Sequence, residues 1–335
     1  GFEGINGLRV PGAGACGCDD WPQFPDPAGL PAPRRDLWDP RRYVCVWACE
    51  DAPSFGRSFP ATSRVRTSFG CRMKCSFCIV PKLFGGRHQP RPAEAVAEEI
   101  AGLENDHVYF CDDENFIDEE FAHELADELE RRGVRKRYFA WTRSTTVNRS
   151  PDLFERWRAI GLDAAFLGFE FPTDEQLRAT RKGSTVAQNE LAHDQLREFG
   201  IAVHAAFMLM PESGAEEFER LRSYVRGMPP AQCSFTVCTP SPGTDDYEAM
   251  QSRIWVDNPH DLHDCMHPLT PTKLPLKEFF GLYGRQVREA GARNPLRVQS
   301  RPVHPAEIPR LVKAEMMYGR AFEKAYKDFP REMWD

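Results

Sequence analysis

The 335-residue sequence has no uninterrupted apolar run of the roughly 18 residues that a membrane-spanning helix requires. Its longest apolar stretches, such as Ala205 to Met210, have the length of buried strands. It also lacks an excess of positive charge. The 43 Lys and Arg residues are scattered among 50 Asp and Glu, for a net charge of −7, so no basic face suited to a phosphate backbone is expected and nucleic acid is not the predicted partner. There is no short-period repeat and no low-complexity tract. No signal peptide is visible, and a start at Gly1 in loop-like sequence suggests a processed or truncated chain, expected to be cytoplasmic.

What the chain does have is cysteine. Eleven are present, an odd number, and three fall within eight residues with no small disulfide-bonded framework around them, which favours metal binding in a reducing compartment over secreted disulfides.

Residues 1–60 are broken by Pro22, Pro25, Pro27, Pro31, Pro33 and Pro40 and read as a Pro-rich lead-in. From Val65 the texture changes to alternating apolar and amphipathic segments. Strands are predicted at Val65 to Ser68, Val108 to Cys111, Tyr138 to Thr142, Ala164 to Phe169, Val203 to Met210 and Ser234 to Thr239. Helices are predicted between them at Ala93 to Leu103, Glu119 to Arg132, Pro151 to Ile160, Val186 to Phe199 and Ala215 to Arg226, with capping residues at Asn148 to Pro151 and at Thr173 and Asp174, and Gly133, Gly161 and Gly200 at helix ends. Crossover helices force parallel strands, so residues 61–245 form an α/β core, doubly wound or curled as a partial (βα)6 TIM-like barrel, with function at the carboxyl ends of the strands. Residues 246–335 break the rhythm with Pro259, Pro268, Pro271 and Pro275, then resume helices near Lys277 to Ala290 and Pro305 to Tyr326. They read as a mainly helical C-terminal extension that lids or braces the core.

The decisive segment is Cys71, Cys75 and Cys78, spaced C-x3-C-x2-C directly after the first strand. A four-iron cluster usually takes four thiolates, so three leave one iron open to a small molecule. Structural zinc asks for four tetrahedral ligands, and the nearest downstream candidate, His88, has no partner at finger-like spacing.

A C-x3-C-x2-C loop opening a βα series resembles the radical S-adenosylmethionine (SAM) superfamily. The resemblance implies a partial barrel in which a [4Fe–4S] cluster on Cys71, Cys75 and Cys78 chelates SAM, and an electron from a donor such as flavodoxin or ferredoxin cleaves it to a 5′-deoxyadenosyl radical. Carried over by position, Phe77 would lie near the adenine, and Asp112, Asp113 and Glu114 replace the family's Gly-Gly-Glu segment that binds the SAM amino group. Arg143 would meet the SAM carboxylate, Glu170 the ribose hydroxyls, and the segments containing Met210 and Thr239 would flank adenine. Packing alone also accounts for several of these residues, Met210 and Thr239 above all.

Phe110 to Asn115, Arg143, Gly161 with Leu162, Gly168 to Glu170, Phe235 to Thr244 and His267 to Pro275 further resemble the cobalamin-dependent subgroup that includes hopanoid C-3 methylase and magnesium-protoporphyrin cyclase relatives. The Pro-rich stretch ending at Arg41, Arg42 and Tyr43 is similar to the connector after their cobalamin domain. The D-x-H-x-x-G loop that cobalamin needs is missing here, since Asp261 to Met266 lacks the Gly. Cobalamin is therefore implied only if its domain lies outside this sequence. The resemblance implies methylation of an unactivated carbon on a lipid, cofactor precursor or natural product, with a cobalamin-independent cyclase, epimerase or mutase as the alternative. A non-catalytic iron–sulfur or zinc protein is the alternative of another class.

Three further groups read as structural. Cys16 with Cys18, and Cys45 with Cys49, are expected to be free thiols. His260, His263, Cys265 and His267 are expected to be loop residues, and Met316, Met317, Tyr318, Phe322 and Tyr326 to pack toward the core.

Overall fold

A computed structural model describes residues 26–45, 60–229, 232–256, 259–293 and 308–334. Six parallel strands form one sheet in chain order: β1 (Thr62–Val65), β2 (His107–Phe110), β3 (Arg137–Thr142), β4 (Leu162–Glu170), β5 (Ala202–Leu209) and β6 (Gln232–Val237). The α/β partial barrel is thus as expected, and five of its strands fall within two residues of their predicted positions. The first lies three residues earlier. Beyond Val65 the Thr67 and Ser68 amides donate to the Asp112 carboxylate, and Ser68–Phe69 pairs antiparallel with Gln89–Pro90.

Parity separates the two faces of the sheet, because successive strand residues point to opposite sides. Val108, Phe110, Tyr138, Ala140, Ala165, Leu167, Phe169, Val203, Ala205, Phe207 and Leu209 point outward into one apolar core shared with the crossover helices. Phe110 stacks on Tyr138 with centroids 5.2 Å apart, and the Trp157 ring meets both edge-on. The helices Glu119–Arg131 and Val186–Glu198 start at caps the sequence supplies, Asp118 accepting from the Phe121 amide and Thr185 forming a reciprocal box with Gln188.

The helix Leu276–Arg293 buries Leu276, Phe279, Phe280 and Tyr283 in that same core, and the Tyr283 hydroxyl donates to the Phe235 carbonyl at 2.8 Å. On the helix Ile308–Lys324, Phe322 is buried, but Met317 and Tyr318 are 61% and 56% exposed, so that stripe packs inward only in part. At the opposite edge the lead-in runs as short turns along β1, the Thr62 amide donating to the Tyr43 carbonyl at 2.8 Å. Cys45 packs on Phe139 and Ala164 of the inner face, while Cys16, Cys18 and Cys49 lie outside the described residues.

Candidate active site

The three cysteines sit on the loop that follows β1, at the carboxyl end of the sheet. Asp112, just past β2, holds the start of this loop by accepting the Thr67 amide at 2.9 Å and the Thr67 and Ser68 hydroxyls at 2.9 and 2.7 Å. Gly70 then turns the chain at φ +84°, where a Cβ would run into the Arg87 carbonyl, so no other residue fits without rebuilding the loop. The Ser76 amide donates to the Thr180 carbonyl at 3.0 Å, tying the loop to the segment after β4.

Cys71 and Cys75 are buried and Cys78 is half-buried, and all three line one cavity of about 410 Å³. Burial pushes the Cys71 thiol up and the Cys78 thiol up to about 11. Thiols so protonated are poor ligands until a metal displaces their protons.

The predicted acids do different things. Asp113 lines the cavity, its Oδ2 accepting from the Gly70 amide at 2.9 Å and from Arg66 at 2.6 Å. Asp112 also lines it, although most of its hydrogen-bonding capacity is used on the loop. Glu114 is fully buried behind the strand end, its Oε1 accepting from Thr142 at 2.8 Å and its Oε2 without a partner among the described residues. Burial pushes its carboxyl up to about 7.

Arg143 brings Nη1 to 3.6 Å from the Cys75 Sγ, donates Nη2 to the Lys182 carbonyl, and leaves Nε buried without a partner. Glu170 takes φ +62° at a register shift in β4, and its Oε1 accepts from Lys182 Nζ at 2.6 Å. Phe77 and Met210 pack in an apolar cluster with Phe171, Leu177, Met208 and Cys238 beside the cavity. The Thr239 hydroxyl instead donates to the Val237 carbonyl at 3.1 Å, and Thr239 does not line the cavity.

Sequence reasoning missed Lys182, Tyr109, Trp141 and Phe166, all cavity residues. Lys182 reaches Glu170 across twelve residues, and no spacing signals that. The three aromatics were signalled by parity, since each lies on the strand face that carries Cys111, Arg143 or Gly168 and Glu170. The group near residue 265 stays outside the site: His267 is held by Asp264 at 2.8 Å and Asp328 at 3.2 Å.

The residues present fit an iron–sulfur cluster with a charged small-molecule ligand. Among the described residues, no three His, Cys, Asp or Glu side chains converge as ligands of a single ion do. The three thiols instead share the walls of a cavity with Arg143, whose Nε is buried and unsatisfied among the described residues. A parallel partial barrel with three cysteines at its carboxyl end defines a class of α/β proteins built to carry such a cluster.

Residues 65–225, just under half of the chain, match the radical SAM superfamily. The chain is similar to the hopanoid C-3 methylase of Methylococcus capsulatus, 28% identical over 285 residues, which cover 83% of this chain and 53% of that protein. It is also similar to the anaerobic magnesium-protoporphyrin IX monomethyl ester cyclase of Rubrivivax gelatinosus, 28% identical over 192 residues, 56% of this chain and 34% of that protein. Among solved structures, the cobalamin-dependent SAM radical enzyme OxsB shares the fold with a TM-score of 0.57 at 14% identity, over 78% of this chain and 46% of that one. The chain thus spans about half the length of the methylase.

Proposed function

We propose that this domain binds a [4Fe–4S] cluster through Cys71, Cys75 and Cys78 and cleaves SAM reductively, in the service of methylating an unactivated carbon of a small-molecule or lipid substrate. The observation that carries the reading is the convergence of the three thiols with Arg143, Glu170 and Lys182 on one cavity at the strand ends. When bound, the cluster and SAM supply one-electron cleavage of the sulfonium, fed by an external donor of the flavodoxin or ferredoxin kind.

The protein's own residues supply placement and exclusion of water. Arg143, with Nη1 at 3.6 Å from the Cys75 Sγ, would meet the carboxylate of the ligand through a charge-assisted bond. The Asp113 carboxylate, which lines the cavity and accepts from the Gly70 amide, is the acceptor suited to an ammonium group. Glu170, held in place by Lys182, presents a carboxylate suited to a diol, and the apolar cluster around Phe77 receives a flat base. The hopanoid methylase likeness supports methyl transfer as the outcome. Where a cobalamin domain takes part, it lies outside this sequence or arrives as a separate chain.

Anaerobic reconstitution followed by SAM and dithionite is expected to release 5′-deoxyadenosine or S-adenosylhomocysteine, and Cys75→Ala to abolish both. An intact cluster that yields neither product overturns the proposal. S-adenosylhomocysteine formed in the presence of cobalamin marks methyl transfer, and 5′-deoxyadenosine alone marks hydrogen abstraction.

A further inference from the structure

Tyr109, Trp141 and Phe166 line the cavity opposite the thiols, and none of them serves the cluster or SAM in the roles above. They come from neighbouring strands in register, Trp141 opposite Phe166 and Phe166 opposite His204. Trp141 and Phe166 stack with centroids 3.9 Å apart, the His204 ring follows at 4.8 Å, and Tyr109 stands edge-on to Trp141 at 6.4 Å. The result is one continuous shelf of rings across four strands.

Two features set this shelf apart from a second core. Its rings are half-buried, whereas the outward rings Phe110, Phe169 and Phe207 are sealed to within 1%. Its neighbours on the same face include the small residues Ala164, Gly168, Ala202 and Ala206, with Phe139 and Cys45 packed at its base against Tyr109 and Phe166. From β2 to β5 that face carries Met208 toward the strand end but no Leu, Ile or Val. The shelf also has one polar handle. The Tyr109 hydroxyl accepts from Trp141 Nε1 at 2.6 Å, and its own proton has no acceptor among the described residues. Burial keeps that hydroxyl protonated, its pKa pushed up to about 12.

We infer that this shelf is the substrate subsite of the domain, and that it takes a flat aromatic ring system bearing a hydrogen-bond acceptor at its edge for the Tyr109 hydroxyl. The inference rests on the function proposed above, which requires a substrate carbon within reach of the cavity that holds the thiols. Ring quadrupoles favour an aromatic partner over a saturated one of equal area, and two or three such contacts give a preference of about tenfold.

Equilibrium dialysis of the full chain, reconstituted with its cluster and supplied with SAM, measures this with three bicyclic probes: quinoline, naphthalene and the saturated ketone 1-decalone. Quinoline is expected to bind about tenfold more tightly than 1-decalone. Phe166→Leu should bring the two together, and Tyr109→Phe should remove the advantage of quinoline over naphthalene. Thermal melts of both variants separate a lost shelf from a lost fold. Equal binding of quinoline and 1-decalone, or an aromatic preference unmoved in both variants, overturns the inference. The wild-type sample is also assayed for 5′-deoxyadenosine after dithionite. Cleavage without aromatic preference then refutes the shelf alone, and absence of cleavage refutes the function on which it rests.

Discussion

The two faces of the sheet are made from the same strands and differ in what they bury and what they leave open. Outward residues are aliphatic or aromatic, fully buried and locked against helices; inward residues are a row of rings, half-buried except for Phe139, that gives way, toward the strand ends, to Cys111, Arg143, Glu170 and the thiol loop. Burying a large apolar side chain contributes about 1.5–3 kcal/mol, so the outward face carries most of the stability and the inward face is left free to hold buried charge and open space. Stability and chemistry are thus segregated by parity along each strand rather than by region of sequence.

The largest effect expected from this division is a difference in stability between two phenylalanines. Phe207→Ala removes a sealed outward ring and should cost about 3–5 kcal/mol in urea unfolding, while Phe166→Ala, inward and half-buried, should cost less than about 2 kcal/mol. Equal costs would break the division.

A smaller and opposite effect is expected at Gly168. A Cβ there would displace the Glu170 carboxylate and meet Lys182 Nζ at 2.6 Å, both the far ends of flexible side chains. Gly168→Ala should therefore change stability by less than about 1 kcal/mol, yet weaken SAM binding by roughly tenfold through the displaced ion pair. Calorimetric titration with SAM against the wild type reads the second number. Unchanged affinity would detach Glu170 and Lys182 from the ligand.

How much of this was legible in the sequence follows the same division. The outward face announces itself through apolar parity and helix punctuation: Pro151 and Gly161 bound a helix found at Pro151–Ile160, as their placement predicts. The thiol loop was legible from spacing alone. The first strand was misplaced because its continuation is claimed by Asp112, 45 residues from Thr67, a bond that no local pattern encodes. The six-residue helices Ser144–Arg149 and Asp174–Ala179 went unread because neither is long enough to show an apolar stripe. Asp112, Asp113 and Glu114 read as three equivalent acids, and only the turn of the chain past β2 gives each a different environment. The inner rings were recoverable by stepping back two residues at a time from Arg143 and Glu170.

The last expected effect is in the pH dependence of stability, where Glu114, behind the strand end, and His204, on the inner shelf, act with opposite sign. Burial pushes the Glu114 carboxyl from 4.5 up to about 7, so the folded protein holds that proton more tightly than the unfolded chain. Its contribution is full below about pH 4.5 and is lost as pH rises through 7. Burial pushes His204 from 6.5 down to about 4, with Nε2 sealed from solvent and unpartnered among the described residues, so the folded protein resists the proton that the unfolded chain accepts. Its contribution is full above about pH 6.5 and is lost as pH falls toward 4. Between about pH 4.5 and 6.5 the two slopes, each at most about 1.4 kcal/mol per pH unit, oppose one another in the wild type. Glu114→Gln should leave the His204 slope exposed, with stability rising with pH relative to wild type over this window, and His204→Gln should leave the reverse. Urea midpoints at two pH values inside the window, measured without SAM, decide the matter. If both variants track the wild type, neither side chain is the buried neutral group that its surroundings dictate.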